Sequence, residues 1–181
     1  PEIVFATTNP HKLEEVCAVL EPMGFRVRGL GDVRATCGTI GSDLEAAEET
    51  GETFEENARI KARWYASRIN LPCLADDSGL SVDALDGEPG VHSAYWAHGW
   101  EGRDRPREER DPANNERLLK AMEGVEGAAR GARFVCVMCV ADSSGRILAE
   151  SRGEFEGAIA TAARGENGFG YDPLLELDDG R

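Results

Sequence analysis

Ala75-Asp76-Asp77-Ser78-Gly79-Leu80 sets two adjacent carboxylates at the end of an apolar run, followed at once by a hydroxyl and a glycine. Carboxylates held this close are costly unless a cation or a proton lies between them. Residues 73–76 read as a strand, and 80–85 alternate in strand fashion after a Ser-Gly turn. A strand that delivers Asp76 and Asp77 to such a turn puts them at an edge, where a hard metal ion and a substrate can reach them. Mg²⁺ typically takes one or two carboxylates, keeps several waters and completes its shell with substrate phosphates. Asp, Ser and Gly are also ordinary turn residues, so a plain Asp-rich turn is the competing reading.

Upstream, residues 3–7 form a short uncharged β-type run, so a buried strand is expected there. Thr7-Thr8-Asn9-Pro10-His11-Lys12 follows. Asn9 or Thr8 is a good N-cap and Pro10 suits the first helical position. Leu13, Val16, Cys17 and Leu20 then recur at helical spacing until Pro22 and Gly24 end the helix. A strand that runs through a polar turn into a helix aims backbone N–H groups and the positive helix end one way, an anion site to which Lys12 adds a full charge. It is not a Walker A loop, because the glycines and the G-K-[ST] ending are missing. A simply capped helix start is the alternative.

Residues 25–30 read as a second strand and 31–43 as loop with room for short structure. Thr53 and Glu56 have capping-box spacing and open a helix to about Ile69, with Phe54, Ala58, Ala62, Tyr65 and Ile69 as its apolar stripe. Asn57 and Lys61 share one face of that helix, from which both could reach a phosphate oxygen. Most glutamates at this helix start have a simple dipole explanation. Glu49, ahead of the helix, stands apart as a metal-ligand candidate.

Residues 101–112 are dense in charge and read as an exposed loop, with Asn114 or Asn115 capping the helix that follows. A short helix is expected over 92–97. Residues 132–141 and 146–160 read as a hairpin across Asp142-Ser143-Ser144-Gly145, with a break at Gly153. Gly168-Phe169-Gly170-Tyr171-Asp172-Pro173 places flexible glycines around two aromatics, which suits a planar ring stacking while backbone approaches closely; a tight turn with two core aromatics is the plainer reading.

The 181 residues suffice for one domain with a real core, and 41% hydrophobic with 30% charged residues is a globular composition. No apolar run approaches the roughly 18–20 residues of a membrane span, and Pro1–Ala6 lacks the pattern of a secretory signal. A cytoplasmic protein without a membrane partner is expected. A net charge of −14 argues against a nucleic-acid partner, which needs a basic stripe. Five cysteines have no disulfide-framework spacing. Cys136 and Cys139, three apart within one strand, point to opposite faces and read as buried thiols rather than a metal pair. His92 and His98 read as structural or surface residues. Neither a G-x-S-x-G elbow nor an H-E-x-x-H helix is present.

In this order and spacing the four segments resemble the inosine/xanthosine triphosphate pyrophosphatase family. Its T-x-N-x-x-K is met by residues 7–12 and its E-x-x-x-T-F-x-E-N-A-x-x-K-A by 49–62. The long A-D-D-S-G-L-x-V-D-A-L-x-G-x-P-G-x-x-S-A is met by 75–94, and G-F-G-Y-D-P by 168–173. The resemblance implies one mixed α/β domain over residues 1–181: a long, bent sheet flanked by helices, in two lobes with a central substrate cleft. It further implies a homodimer and Mg²⁺-dependent hydrolysis of deaminated purine nucleoside triphosphates (ITP, dITP, XTP) to the monophosphate and pyrophosphate. A pyrophosphatase for dUTP or modified pyrimidine nucleotides, or a nucleotide-binding protein with impaired catalysis, is the alternative. By resemblance, Asp77 is the general base and a metal-associated carboxylate, Glu49 a second metal-associated acid, and Asp76 a supporting one. Thr7, Thr8, Asn9, Pro10, His11, Lys12, Lys61 and Ser78 match phosphate-contacting positions, and Phe169, Gly170, Tyr171 and Asp172 the nucleoside-contacting segment.

The mapping gives the basic residues a pattern. Among 17 Arg and only 3 Lys, two lysines, Lys12 and Lys61, fall on phosphate positions. An ammonium is a compact point charge where arginine imposes a planar fork. Two departures are visible. Ser93-Ala94-Tyr95-Trp96 lacks the arginine the family carries after Ala94, and the sequence reaches Arg181 without the family's late S-H-R-x-x-A segment, whose His and Arg help read the base.

Overall fold

The computed structural model describes residues 1–7, 9–36, 45–165 and 168–177, the side chains of 34–36 excepted. It is a mixed α/β protein with a six-stranded sheet in the order β2-β1-β3-β4-β5-β6. The chain begins with β1 (Glu2–Phe5), α1 (Pro10–Leu20), β2 (Arg26–Gly29) and α2 (Leu30–Thr36). It continues through α3 (Phe54–Ile69), β3 (Cys73–Val82) and α4 (Arg107–Ala121). It then passes through β4 (Gly131–Ala141), β5 (Ile147–Ile159) and β6 (Leu175–Glu176). β1 pairs in parallel with β2, Ile3 opposite Val27, and with β3, Phe5 opposite Leu74; β5 and β6 are antiparallel.

The chain forms two compact units, one of residues 1–77 and 137–152, the other of 78–136 and 153–181. In the first, Ile3, Phe5, Val16, Val27 and Leu74 make the core, with Leu13, Cys17, Leu20, Phe25, Met138 and Val140 packed on it. In the second, Leu80, Val82, Trp96, Leu118, Met122, Ala132, Ile159, Tyr171 and Leu174 are buried together. None of the helices among the described residues is long and apolar enough to cross a membrane.

Local signals place the helices that matter for the site. Pro10 opens α1 and the Asn9 side chain accepts from the His11 N–H; after Leu20 the chain tightens into one 3₁₀ turn and leaves through Gly24. The Thr53–Glu56 capping box is complete, and Phe54, Ala58, Ala62, Tyr65 and Ile69 are buried as the apolar stripe requires. In β4, Cys139 is buried and Cys136 half-buried, both as free thiols.

Several expectations are corrected. β3 does not turn at Ser78-Gly79; it runs unbroken from Cys73 to Val82. A Cβ on Gly79 would lie 2.4 Å from Ser93 Oγ and 2.6 Å from the Gly90 carbonyl oxygen, so the glycine serves close packing rather than a bend. The short structure allowed for in 31–43 is α2, which also takes Leu30 from the expected strand, and 37–44 lie outside the described residues. Residues 107–112 belong to α4, with Pro112 inside the helix, so Asn114 and Asn115 are helix-interior residues and not caps. Asn114 is buried, accepting from the Ala97 N–H and donating to the carbonyls of Ser93 and Ala94, which ties α4 to residues 93–97. In place of a helix over 92–97 there is a 3₁₀ turn at Gly90–His92, followed by turns. β5 continues straight through Gly153.

Candidate active site

Capping and strand geometry bring Glu49, Asn57, Lys61 and Asp77 together within the first unit, with Lys12 and Asp76 as a second pair beside them. Gly51 donates its N–H to Asn57 Oδ1 at 2.8 Å, and Glu52 and Thr53 donate theirs to Glu56 Oε2. These bonds fold the approach to α3 back onto its first turn and keep Glu49 beside the helix. One turn on from Asn57, Lys61 Nζ donates to Glu49 Oε2 at 3.0 Å and to Asp77 Oδ1 at 2.9 Å. Asn57 Nδ2 donates to the other oxygen, Asp77 Oδ2, at 3.3 Å. The i, i+4 pair on α3 therefore grips both oxygens of one carboxylate.

Asp76 has a different partner. Successive residues of a strand turn to opposite sides, and Lys12 Nζ, in the first turn of α1, lies 2.5 Å from Asp76 Oδ2. Ahead of it, Thr7 Oγ1 accepts from the Asn9 N–H, while Pro10 and His11 are exposed. Thr8 lies outside the described residues. Ser78 follows in β3, half-buried, and belongs with Phe169, Gly170, Tyr171 and Asp172 to the second unit.

Asp76 and Asp77 are 6% and 7% exposed, so their charges are dear to keep without partners. Burial pushes the Asp77 carboxyl up to about 6; Lys61 pulls it down and Glu49 pushes it up again. Burial works to lower Lys61, yet Asp77, Glu49 and Asp76 outweigh it and hold the ammonium above its usual range. A titrating carboxylate and a firmly charged lysine thus share one buried contact.

Glu49 and Asp77 converge on a single ammonium, so a cation at that place meets two carboxylates. No cluster of three His, Cys, Asp or Glu side chains suited to a metal occurs among the described residues. The carboxylates of Glu49 and Asp77 fit an open site, one that leaves the rest of a hard cation's shell to water and phosphate.

In the second unit, the segment at 168–172 is built as a fixed turn. Phe169 donates its N–H to Asp172 Oδ2, and Tyr171, buried, donates its hydroxyl to the Ser93 carbonyl. Phe169 remains 41% exposed. Two contributors escaped the sequence reading. Asp111 accepts the Gly170 N–H at 2.9 Å, and Asn115 donates to the Gly170 carbonyl at 3.0 Å. Their four-residue spacing was the available signal, hidden because Asp111 fell within the supposed loop.

A mixed α/β chain that buries paired carboxylates against lysines has the equipment of a phosphate-handling enzyme. The chain belongs to the Ham1 family, whose pattern it matches over residues 3–181. It is 46% identical over 174 residues to a dITP/XTP pyrophosphatase of an Exiguobacterium species, covering 96% of this chain and 79% of that protein. It is 43% identical over 178 residues to the dITP/XTP pyrophosphatase of Bacillus subtilis, covering 98% and 81%. Among solved structures, a HAM1 protein from Coxiella burnetii superposes with a TM-score of 0.80 at 35% identity, over 98% of this chain and 82% of that one.

Proposed function

We propose that this chain is a nucleoside-triphosphate pyrophosphatase that hydrolyses deaminated purine nucleotides, ITP, dITP and XTP, to the monophosphate and pyrophosphate. The observation that carries the reading is the buried carboxylate of Asp77, held by Asn57 and Lys61 and facing Glu49, in a chain so similar to dITP/XTP pyrophosphatases.

In this reading Asp77 is the general base. Its carboxylate, raised by burial in the metal-free protein, is the group placed to take a proton from the water that attacks the α-phosphorus. Asn57 acts through Asp77: with both ends of its amide engaged, it fixes the carboxylate's orientation. Lys61 and Lys12 supply positive charge toward phosphate oxygens as charge develops on the leaving pyrophosphate. Thr7, Thr8, Asn9, Pro10 and His11, at the start of α1, and Ser78 contribute phosphate contacts. Glu49 and Asp77, with Asp76 in support, would hold Mg²⁺, which when bound spreads the phosphate charge and lowers the cost of attack by water. Phe169, Gly170, Tyr171 and Asp172 receive the nucleoside. The enzyme works as a homodimer on the cytoplasmic nucleotide pool; the four described cysteines, all free, are consistent with a reducing compartment.

The reading is tested by pyrophosphate release from ITP, dITP and XTP beside ATP, GTP and dUTP, with Mg²⁺ and with EDTA. Preference for the deaminated purines and loss of activity in EDTA are expected. A clear preference for dUTP would sink the purine assignment, and full activity in EDTA would sink the metal.

A further inference from the structure

The first nine residues of α4 carry a stripe that the reaction as described leaves unused. Arg107, Asp111 and Asn115 recur every fourth residue, so they share one face of the helix, and all three address the turn at 169–170. The Arg107 guanidinium carbon lies 4.9 Å from the centroid of the Phe169 ring. Asp111 Oδ2 accepts the Gly170 N–H at 2.9 Å, and Asn115 Nδ2 donates to the Gly170 carbonyl at 3.0 Å. One peptide unit's two polar groups are therefore both held by the same helix. Gly170 has φ +63°, a conformation that glycine adopts freely and side-chain-bearing residues rarely do, so the glycine sets the turn and the two hydrogen bonds from α4 fix its place.

What the clamp leaves free is informative. Tyr171 is 4% exposed and Phe169 is 41% exposed, so the pinned turn presents one aromatic ring outward. A planar guanidinium already lies on that ring, and flat π-faced groups are what such a surface accepts. Asn115 Oδ1 is buried without a hydrogen-bond partner. Burying an unpaired acceptor costs stability, so an asparagine kept for stability alone is a poor choice here; its donor on Gly170 is the useful end.

We propose that Asp111 and Asn115 are positioning residues of the purine site, acting through the Gly170 peptide to hold Phe169 where the base stacks in place of the Arg107 guanidinium. The proposal rests on the pyrophosphatase reading above. It predicts a loss that falls on base recognition and spares the chemical step.

The test is steady-state pyrophosphate release from ITP and from ATP by the full chain and by Asp111→Ala, Asp111→Asn and Asn115→Asp, with thermal unfolding of each. Asp111→Ala removes the acceptor, and Asn115→Asp turns a donor into a carboxylate facing a carbonyl. Each is expected to raise KM about tenfold, the loss of roughly one such hydrogen bond, for ITP and for ATP alike because stacking serves either purine ring, with kcat held within about twofold. Asp111→Asn keeps an acceptor oxygen and is expected to stay close to wild type, a rescue that a role resting on the charge would not give. Unchanged KM in Asp111→Ala and Asn115→Asp would overturn the proposal, as would a loss that falls on kcat rather than on KM. A wild-type chain inert toward ITP would instead sink the pyrophosphatase reading and the purine site with it.

Discussion

Asp77 is asked to be buried and charged at once, and the residues around it share that burden. Lys61 and Asn57 each take one of its oxygens, while Glu49 and burial oppose ionisation. With the folded pKa raised from an ordinary 3.8 to about 6, the folded state holds this proton more tightly than the unfolded chain does. Its contribution to stability is therefore full below about 3.8 and is lost as pH rises through about 6, an effect of up to about 3 kcal/mol. Asp77→Asn removes the titration. In metal-free buffer the variant is expected to gain stability relative to wild type as pH goes from 4 to 7, read as the difference between two urea-denaturation series. Parallel series would show that Asp77 does not titrate in this window. The residue's importance was legible from its neighbours in sequence; its partners were not. Asn57 looked like a phosphate contact because an exposed-looking Asn one turn before a Lys reads that way. Only folding reveals that its amide is spent on Gly51 and Asp77.

Elements were readable where their signals are local. The Thr53–Glu56 box and the Asn9-Pro10 start act within one turn, so α3 and α1 begin where the sequence says. Asp-Asp-Ser-Gly is turn chemistry in isolation, so the sequence predicts two strands where β3 runs on as one. Its carboxylates are instead met from distant parts of the chain, by Lys12 and Lys61, and the space at Gly79 is taken by Ser93 and Gly90. α4 was started too late for a similar reason: Pro112 and a run of charges look like loop, while the anchoring by Asn114 is tertiary. Gly79→Ala tests the packing. With a Cβ meeting a hydroxyl and a backbone carbonyl at under 3 Å, a loss of about 2 kcal/mol or more is expected by chemical denaturation. A neutral effect would mean that the contact of Gly79 with Ser93 yields easily and that the glycine has another purpose.

At the scale of the whole molecule, a strongly acidic chain that handles a polyanion must concentrate its few useful cations. Two of its three lysines stand against the buried aspartates, and the arginines are spread over other tasks, several pairing with glutamates in α3 and β5 such as Arg59 with Glu150 and Arg152 with Glu55. The α/β class and the order of the site segments were legible because long motifs carried them. Assembly was not, because a subunit surface has no local sequence signature. The homodimer is checked by sedimentation equilibrium, where a species of twice the chain mass is expected at micromolar concentration and a monomer that stays monomeric contradicts it. The central claim is that Asp77 performs the chemistry, and it is tested most directly by separating turnover from binding in Asp77→Asn. With ITP and Mg²⁺, pyrophosphate release is expected to fall by about 10³-fold, the scale of a lost general base, while ITP binding measured by calorimetry stays within a few-fold of wild type. Near-wild-type release by Asp77→Asn would contradict it.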